Sequence, residues 1–140
     1  MRLASIAAAF LLSACASTPE LAPVAAQPAA DALGPQTLAP GECGLFGWDV
    51  SDAPRFVFFA TAARGLAKVG DDTVSLPPTR DFPAADGVYG PVTLQLGAEE
   101  LLEQGRRYPA ARMKVAQADG FTRTVPLVVV ESCGVPDAPR

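Results

Sequence analysis

Between Cys43 and Cys133 the apolar residues come in short bursts, "CGLFGWDV", "RFVFFATA", "LAKV", "TVSL", "VTLQL", "ARMKVAQ" and "FTRTVPLVVVES", separated by Gly, Pro and Asp. Bursts of this length, rich in Val, Phe and Thr and bounded by turn formers, predict strands. So many at close spacing predict an all-β domain, a small antiparallel sandwich or barrel. The last two bursts constrain the register. A two-residue turn at Asp119-Gly120 puts Arg112 and Lys114 on the face of Val125 and Leu127, mixing charge into the core side. A three-residue loop, Ala118-Asp119-Gly120, with a left-handed glycine and a bulge, instead gathers Met113, Val115, Phe121, Val125, Leu127 and Val129. The bulged loop is preferred, and Arg123 is its one polar exception on the inward side. "LVVV", Leu127 to Val130, is apolar on both faces, which predicts a strand covered on both, with Pro126 at a bulge or an exposed edge.

Two stretches do not follow the strand pattern. "GAEELLEQGRRY" sets Ala98, Leu101 and Leu102 at helical spacing with Glu99, Glu100 and Glu103 outward. A short helix near 98–104, ended by Gly105, is therefore open as an addition to the all-β reading. "PPTRDFPAADGVYGP", Pro77 to Pro91, reads as a long loop without a strand, displaying Arg80, Asp81, Phe82 and Tyr89. Loops of that length are disproportionately functional, although some merely cross a barrel end.

Upstream, Met1 and Arg2 precede a run from Leu3 to Leu12 that is apolar but for Ser5. The run matches a secretory leader and is shorter than the ~20 residues of a spanning helix. From Ala16 to Glu42 prolines are too close for a helix and large apolar residues too few for a core, so the segment reads as an extended tether.

"LSAC", Leu12 to Cys15, resembles the lipobox of bacterial lipoproteins. The resemblance implies a signal peptide at 1–14 and a Cys15 that carries a diacylglyceryl thioether and commonly an acylated (for example palmitoylated) amine. With the proline-rich segment and the strand bursts between Cys43 and Cys133, the remainder reads as a lipidated tether at 15–42, a β-domain at 43–134 and a tail at 135–140. One acyl chain binds a bilayer marginally, at about 0.8 kcal/mol per buried methylene, so two or three chains make the anchor. Ala16, where aspartate would mark inner-membrane retention, implies the periplasmic face of the outer membrane. The alternative is an ordinary leader with Cys15 incidental. With Cys15 taken by lipid, an oxidising compartment leaves Cys43 and Cys133 to pair with each other. Alternation in their strands sends both to the core side, so the bridge is expected inside, tying first strand to last. "CGLFGW", "PRFVFFA" and "DGF" followed by "VP" and a final cysteine resemble an uncharacterised family of small periplasmic or lipid-anchored alphaproteobacterial proteins. That resemblance implies a fold and a compartment and carries no active site.

At 140 residues the chain has room for one ordinary domain. Its formal charge of -4 argues against nucleic acid and anionic lipid as partners. The absence of histidine removes Ser-His-Asp and Cys-His catalysis and His-ligated zinc. No phosphate, dinucleotide or EF-hand motif occurs, so no cofactor or metal is indicated. Asp71-Asp72 reads as a hairpin turn and Glu99-Glu100 as a solvated face, not as a catalytic carboxylate pair. Phe46, Trp48, Phe56, Phe58 and Phe59 read as core before they read as a ligand cavity. Besides the long loop, Arg112 and Lys114, with Arg106 and Arg107 nearby, form a candidate basic patch.

The expectation is a lipid-anchored periplasmic module that binds or scaffolds, with a periplasmic protein or envelope partner, and does not catalyse. Two alternatives stand beside it. One is an inhibitor of a hydrolase such as lysozyme: the membrane-bound C-type lysozyme inhibitors are similar in size, anchoring and disulfide-tied barrel, although none of their motifs occurs here. The other is a histidine-free enzyme.

Overall fold

The computed structural model describes residues 31–79, 82 and 86–136. The leader, Cys15, the first part of the tether, Arg80 and Asp81 lie outside the described residues. Among the described residues there is no helix, and the strands form one antiparallel sheet curled into a nearly closed barrel. In chain order they are β1 (Cys43–Asp49), β2 (Phe56–Thr61), β3 (Gly65–Val69), β4 (Asp72–Leu76), β5 (Asp86–Tyr89), β6 (Val92–Gln95), β7 (Glu100–Leu102), β8 (Gly105–Ala116) and β9 (Thr122–Cys133). Around the barrel the order is β4-β3-β2-β1-β9-β8-β6-β5, and β7 pairs with β8 outside this path. The last long strand lies beside the first, so β1 and β9 sit centrally and the weak, short strands β4 and β5 take the edges. Phe58 and Tyr89 meet edge to face, with ring centroids 5.6 Å apart, on the inside of the barrel.

Alternation explains which residues fill the interior. In β1 Leu45, Gly47 and Asp49 are buried and face inward, while Phe46 and Trp48 face outward and are half-buried. In β9 Leu127 and Val129 point in, opposite Ala111 and Tyr108 of β8. Fully buried apolar side chains of this kind contribute about 1.5–3 kcal/mol each relative to exposure. Strand β2 breaks the alternation: the register against β1 shifts between Gly47 and Trp48. The additional residue is Val57, buried in the same core as Phe58, as expected when a bulge places two neighbouring side chains on nearly the same side.

The β8–β9 hairpin has the preferred register. Met113 pairs with Val125 and Ala116 with Thr122, and beyond them the Gln117 amide donates to Phe121 O at 2.8 Å. Residues 118–120 are thus the three-residue loop, closed by the Gly120 amide on Gln117 O at 3.0 Å. Gly120 has φ +86°, a region that costs a residue with a Cβ about 1–2 kcal/mol. Phe121 departs from the expectation: it is 73 % exposed because the hairpin tip extends beyond the barrel rim.

Further expectations are corrected by the structure. The short helix near 98–104 is absent; Glu100–Leu102 is strand β7, turning back at Glu103 and Gln104 so that Leu102 pairs with Gly105. A helix so short gains too few hydrogen bonds to offset nucleation, whereas the hairpin places Glu100 opposite Arg107. The stretch from Pro77 to Pro91 is not strandless, since β5 occupies Asp86–Tyr89 and pairs with β6 through a two-residue turn at Gly90 and Pro91. Tyr89 is therefore not displayed: it is 1 % exposed and part of the core. The Cys43–Cys133 disulfide forms and its residues pair directly across β1 and β9. It lies where β1 begins and β9 ends, with Cys43 half-buried and Cys133 exposed. The inward parity is as expected, but the strands outrun the core there.

Residues 31–42, read from sequence as the end of the tether, lie against the barrel. Leu33 is 5 % exposed and its amide donates to Phe56 O at 2.7 Å. Leu38 crosses β1 so closely that a Cβ on Gly44 would stand 2.7 Å from Leu38 Cδ2. This strap covers part of the outer face; Phe59, which points outward beside Phe46, is fully buried with the Arg64 guanidinium over its ring.

Candidate functional site

One end of the barrel opens into a cavity of about 280 Å³. Its apolar floor consists of Val57, Val69, Met113, Val115 and Val125, contributed by β2, β3, β8 and β9. Six ionisable side chains ring it: Asp31, Asp49, Arg55, Lys68, Asp71 and Arg123. Asp49 and Arg123 are there because the inward alternation of β1 and β9 continues to the rim, where water is within reach and charge is tolerated. The inward arginine that marred the alternation of β9 is thus a rim residue of this cavity.

Asp49 organises one side of the mouth. It is 6 % exposed, and its Oδ1 accepts from the Arg55 amide at 2.8 Å and the Ser51 hydroxyl at 2.9 Å. Its Oδ2 accepts from Arg55 Nε at 2.7 Å and lies 2.5 Å from Nη2. Burial by itself pushes the Asp49 carboxyl up, but the amide and guanidinium of Arg55 and the Ser51 hydroxyl outweigh it and hold it below its ordinary value. Asp31 pairs with Arg55 Nη1 from the strap, so that one guanidinium is shared by two carboxylates.

The other side is set differently. Lys68 is only 8 % exposed, and its ammonium donates to the Asp71 carbonyl at 2.7 Å and Thr73 Oγ1 at 3.3 Å, both neutral acceptors on the β3–β4 hairpin. Arg123 is exposed and has no salt-bridge partner among the described residues.

The candidate residues taken from sequence lie elsewhere. Arg112 and Lys114 are on the outer face of β8, flanked by Gln95 and Thr93 of β6 and by Pro126 and Thr124 of β9. Arg106 and Arg107 do not extend their patch, because they pair with Glu99 at 3.3 Å and Glu100 at 2.9 Å. Phe82 packs against the core, and Tyr89 sits within it with a hydroxyl that has no hydrogen-bond partner among the described residues. Burial raises the Tyr89 phenol above its ordinary value. Asp71 lies in the β3–β4 turn and Glu99 and Glu100 in the β7 hairpin. Among the described residues no three of His, Cys, Asp and Glu gather to hold a metal ion.

Sequence reasoning passed over Asp31, Asp49, Arg55 and Lys68. Two signals were present: Asp49 is a charged residue at an inward position of β1, as Arg123 is in β9. A second surface also went unread. Phe46, Trp48 and Phe56 form an aromatic cluster on the outer face, with centroids 6.5 Å apart for Phe46 and Trp48 and 5.3 Å for Trp48 and Phe56. Only Phe58 of the five aromatics belongs to the barrel interior.

No protein-family model matches the chain, and neither does any curated protein or solved structure.

Proposed function

We propose that the protein is a lipid-anchored binding module of the bacterial envelope, held by Cys15 at the periplasmic face of the outer membrane and acting by non-covalent recognition. The observation that carries the binding part is the barrel-mouth cavity: an apolar floor with a ring of fixed charge is the usual chemistry of a small-ligand site. The anchor rests on the leader and "LSAC". The groups around the cavity favour recognition over turnover, because Asp49 is fully engaged by Arg55 and Ser51 and is held ionised, leaving it no proton to give at neutral pH.

The test has two parts. Cells fed labelled fatty acid should yield labelled protein, and Cys15→Ser should abolish the label; wild-type protein recovered free of lipid from the periplasm would overturn the anchor. Purified protein should show no saturable turnover of peptidoglycan, ester or peptide substrates. Turnover lost on Asp49→Asn would establish an enzyme instead, and titratable slowing of lysozyme would favour the inhibitor reading.

A further inference from the structure

Resting on the binding-module reading, we infer that the barrel-mouth cavity takes a small amphipathic anion, a single carboxylate or phosphate on a short apolar body. The apolar body is called for by the floor. Val57, Met113, Val115 and Val125 face a cavity of about 280 Å³, near the lower end of the roughly 300–1,000 Å³ of small-molecule sites. Such a space accommodates a medium-length acyl chain or a body of similar bulk.

The sign of the head group follows from which polar atoms still have capacity. A carboxylate offers about four acceptor positions, and Asp49 accepts three hydrogen bonds, from the Arg55 amide, Arg55 Nε and the Ser51 hydroxyl, with Arg55 Nη2 a further 2.5 Å ion-pair contact. Its charge is already matched by the Arg55 guanidinium, and the half-exposed Asp31 carboxylate of the same rim is paired with that same group. Arg55 is spent on Asp49 and Asp31. Donor capacity is open on the other side. Lys68 carries three N–H groups and uses two, both on uncharged acceptors, so a buried ammonium lacks an anionic partner among the described residues. Arg123 carries five donors and has no ion pair among the described residues. The Asp71 carboxylate is an opposing charge, but it sits on an exposed turn and contributes its backbone carbonyl, not its side chain, to Lys68. A bound carboxylate or phosphate would give both cations charge-assisted hydrogen bonds while its apolar part displaced water from the floor.

Met113 makes the inference readable, because the chain has two methionines and this one lines the floor. The full-length chain carrying Cys15→Ser, so that it needs no detergent, is labelled at the methionine methyls, with Met113 assigned by Met113→Leu. It is titrated with octanoate, octyl phosphate, octylammonium and octanol. Octanoate or octyl phosphate should shift the Met113 methyl saturably, and the stronger of the two identifies the head group. Octylammonium and octanol should bind at least about tenfold more weakly. Arg123→Gln should weaken the anion at least about tenfold, the loss expected for charge-assisted hydrogen bonds, whereas Arg112→Gln on the outer face should leave it unchanged. Equal binding of octylammonium or octanol, or equal weakening by Arg112→Gln, would overturn the anion assignment and leave a binding module of other specificity. No saturable shift with any of the four would overturn the cavity as the site, while the anchor and the absence of turnover remain to be decided by their own experiments.

Discussion

Asp49 shows how the desolvation of one buried charge can be offset by partners close in sequence. A carboxylate at 6 % exposure needs its acceptor positions filled, and the Arg55 amide, its guanidinium and the Ser51 hydroxyl fill them from a loop only six residues away. Its carboxyl is lowered in the folded state, so it contributes stability that is complete above the unfolded value of about 3.9 and is lost as the pH falls from there through the lower folded value. Urea unfolding between pH 3 and 7 should therefore show the wild type losing stability at the acid end. Asp49→Asn should be less stable at pH 7 by about 1–3 kcal/mol and should show a shallower acid decline. Equal stability of the two proteins at pH 7 would mean that the Arg55 contacts do not hold this corner. Tyr89 is the contrasting case, a buried hydroxyl with no partner among the described residues. Its ring, packed on Phe58, accounts for its burial, and its hydroxyl has no evident structural role.

At the scale of elements, the strap from residue 31 to 42 behaves as part of the barrel. Leu33 is buried against β2, Leu38 crosses Gly44, and Arg64 donates to Thr37 O at 2.6 Å while lying over the Phe59 ring. Leu33→Ala should lower stability by about 2 kcal/mol, the low end for truncating a buried leucine, since the site lies at the periphery and can partly close. A chain beginning at Cys43 should melt well below one beginning at Asp31. Identical melting temperatures would return the strap to the tether. The β7 hairpin is a weaker element. Its Glu99–Arg106 and Glu100–Arg107 pairs are exposed on both sides, and such pairs are worth about 0–1 kcal/mol. Loss of either pair would leave the barrel intact.

For the whole molecule the disulfide joins strands that are 90 residues apart in sequence yet paired side by side. Because it closes almost all of the barrel into one loop, it limits the unfolded chain more than it strengthens any contact. The chain-entropy estimate for such a loop is about 4–5 kcal/mol, an upper figure. Cys133 is exposed, so a mild reductant should reach the bond in the native protein. Reduction should lower the melting temperature by more than 10 °C, on the basis of about 4–8 °C per kcal/mol for a domain of this size, and the reduced chain should keep its β signal at low temperature. An unchanged melting temperature after verified reduction would show that β1–β9 pairing already sets the unfolded limit.

The strand bursts, the bulged Ala118-Asp119-Gly120 loop and the pairing of Cys43 with Cys133 were determined by the sequence alone. The first two depend on local rules, two-residue periodicity and a glycine where φ is positive; the third depends on the expectation that Cys15 is taken by lipid, which leaves each of the other two thiols one partner. The tertiary structure decided what local rules cannot weigh. Val88 and Tyr89 in a four-residue strand offer too few positions for alternation to be seen, and Leu101 and Leu102 satisfy helix and hairpin spacing equally, so pairing with β6 and β8 settled both. Whether Phe59 or Phe58 faces the interior depended on the bulge at Val57, which shifts parity without a turn residue to mark it. The cavity was least legible of all. Asp31, Asp49, Lys68 and Arg123 come from four distant parts of the chain, and only barrel curvature carries them to one rim.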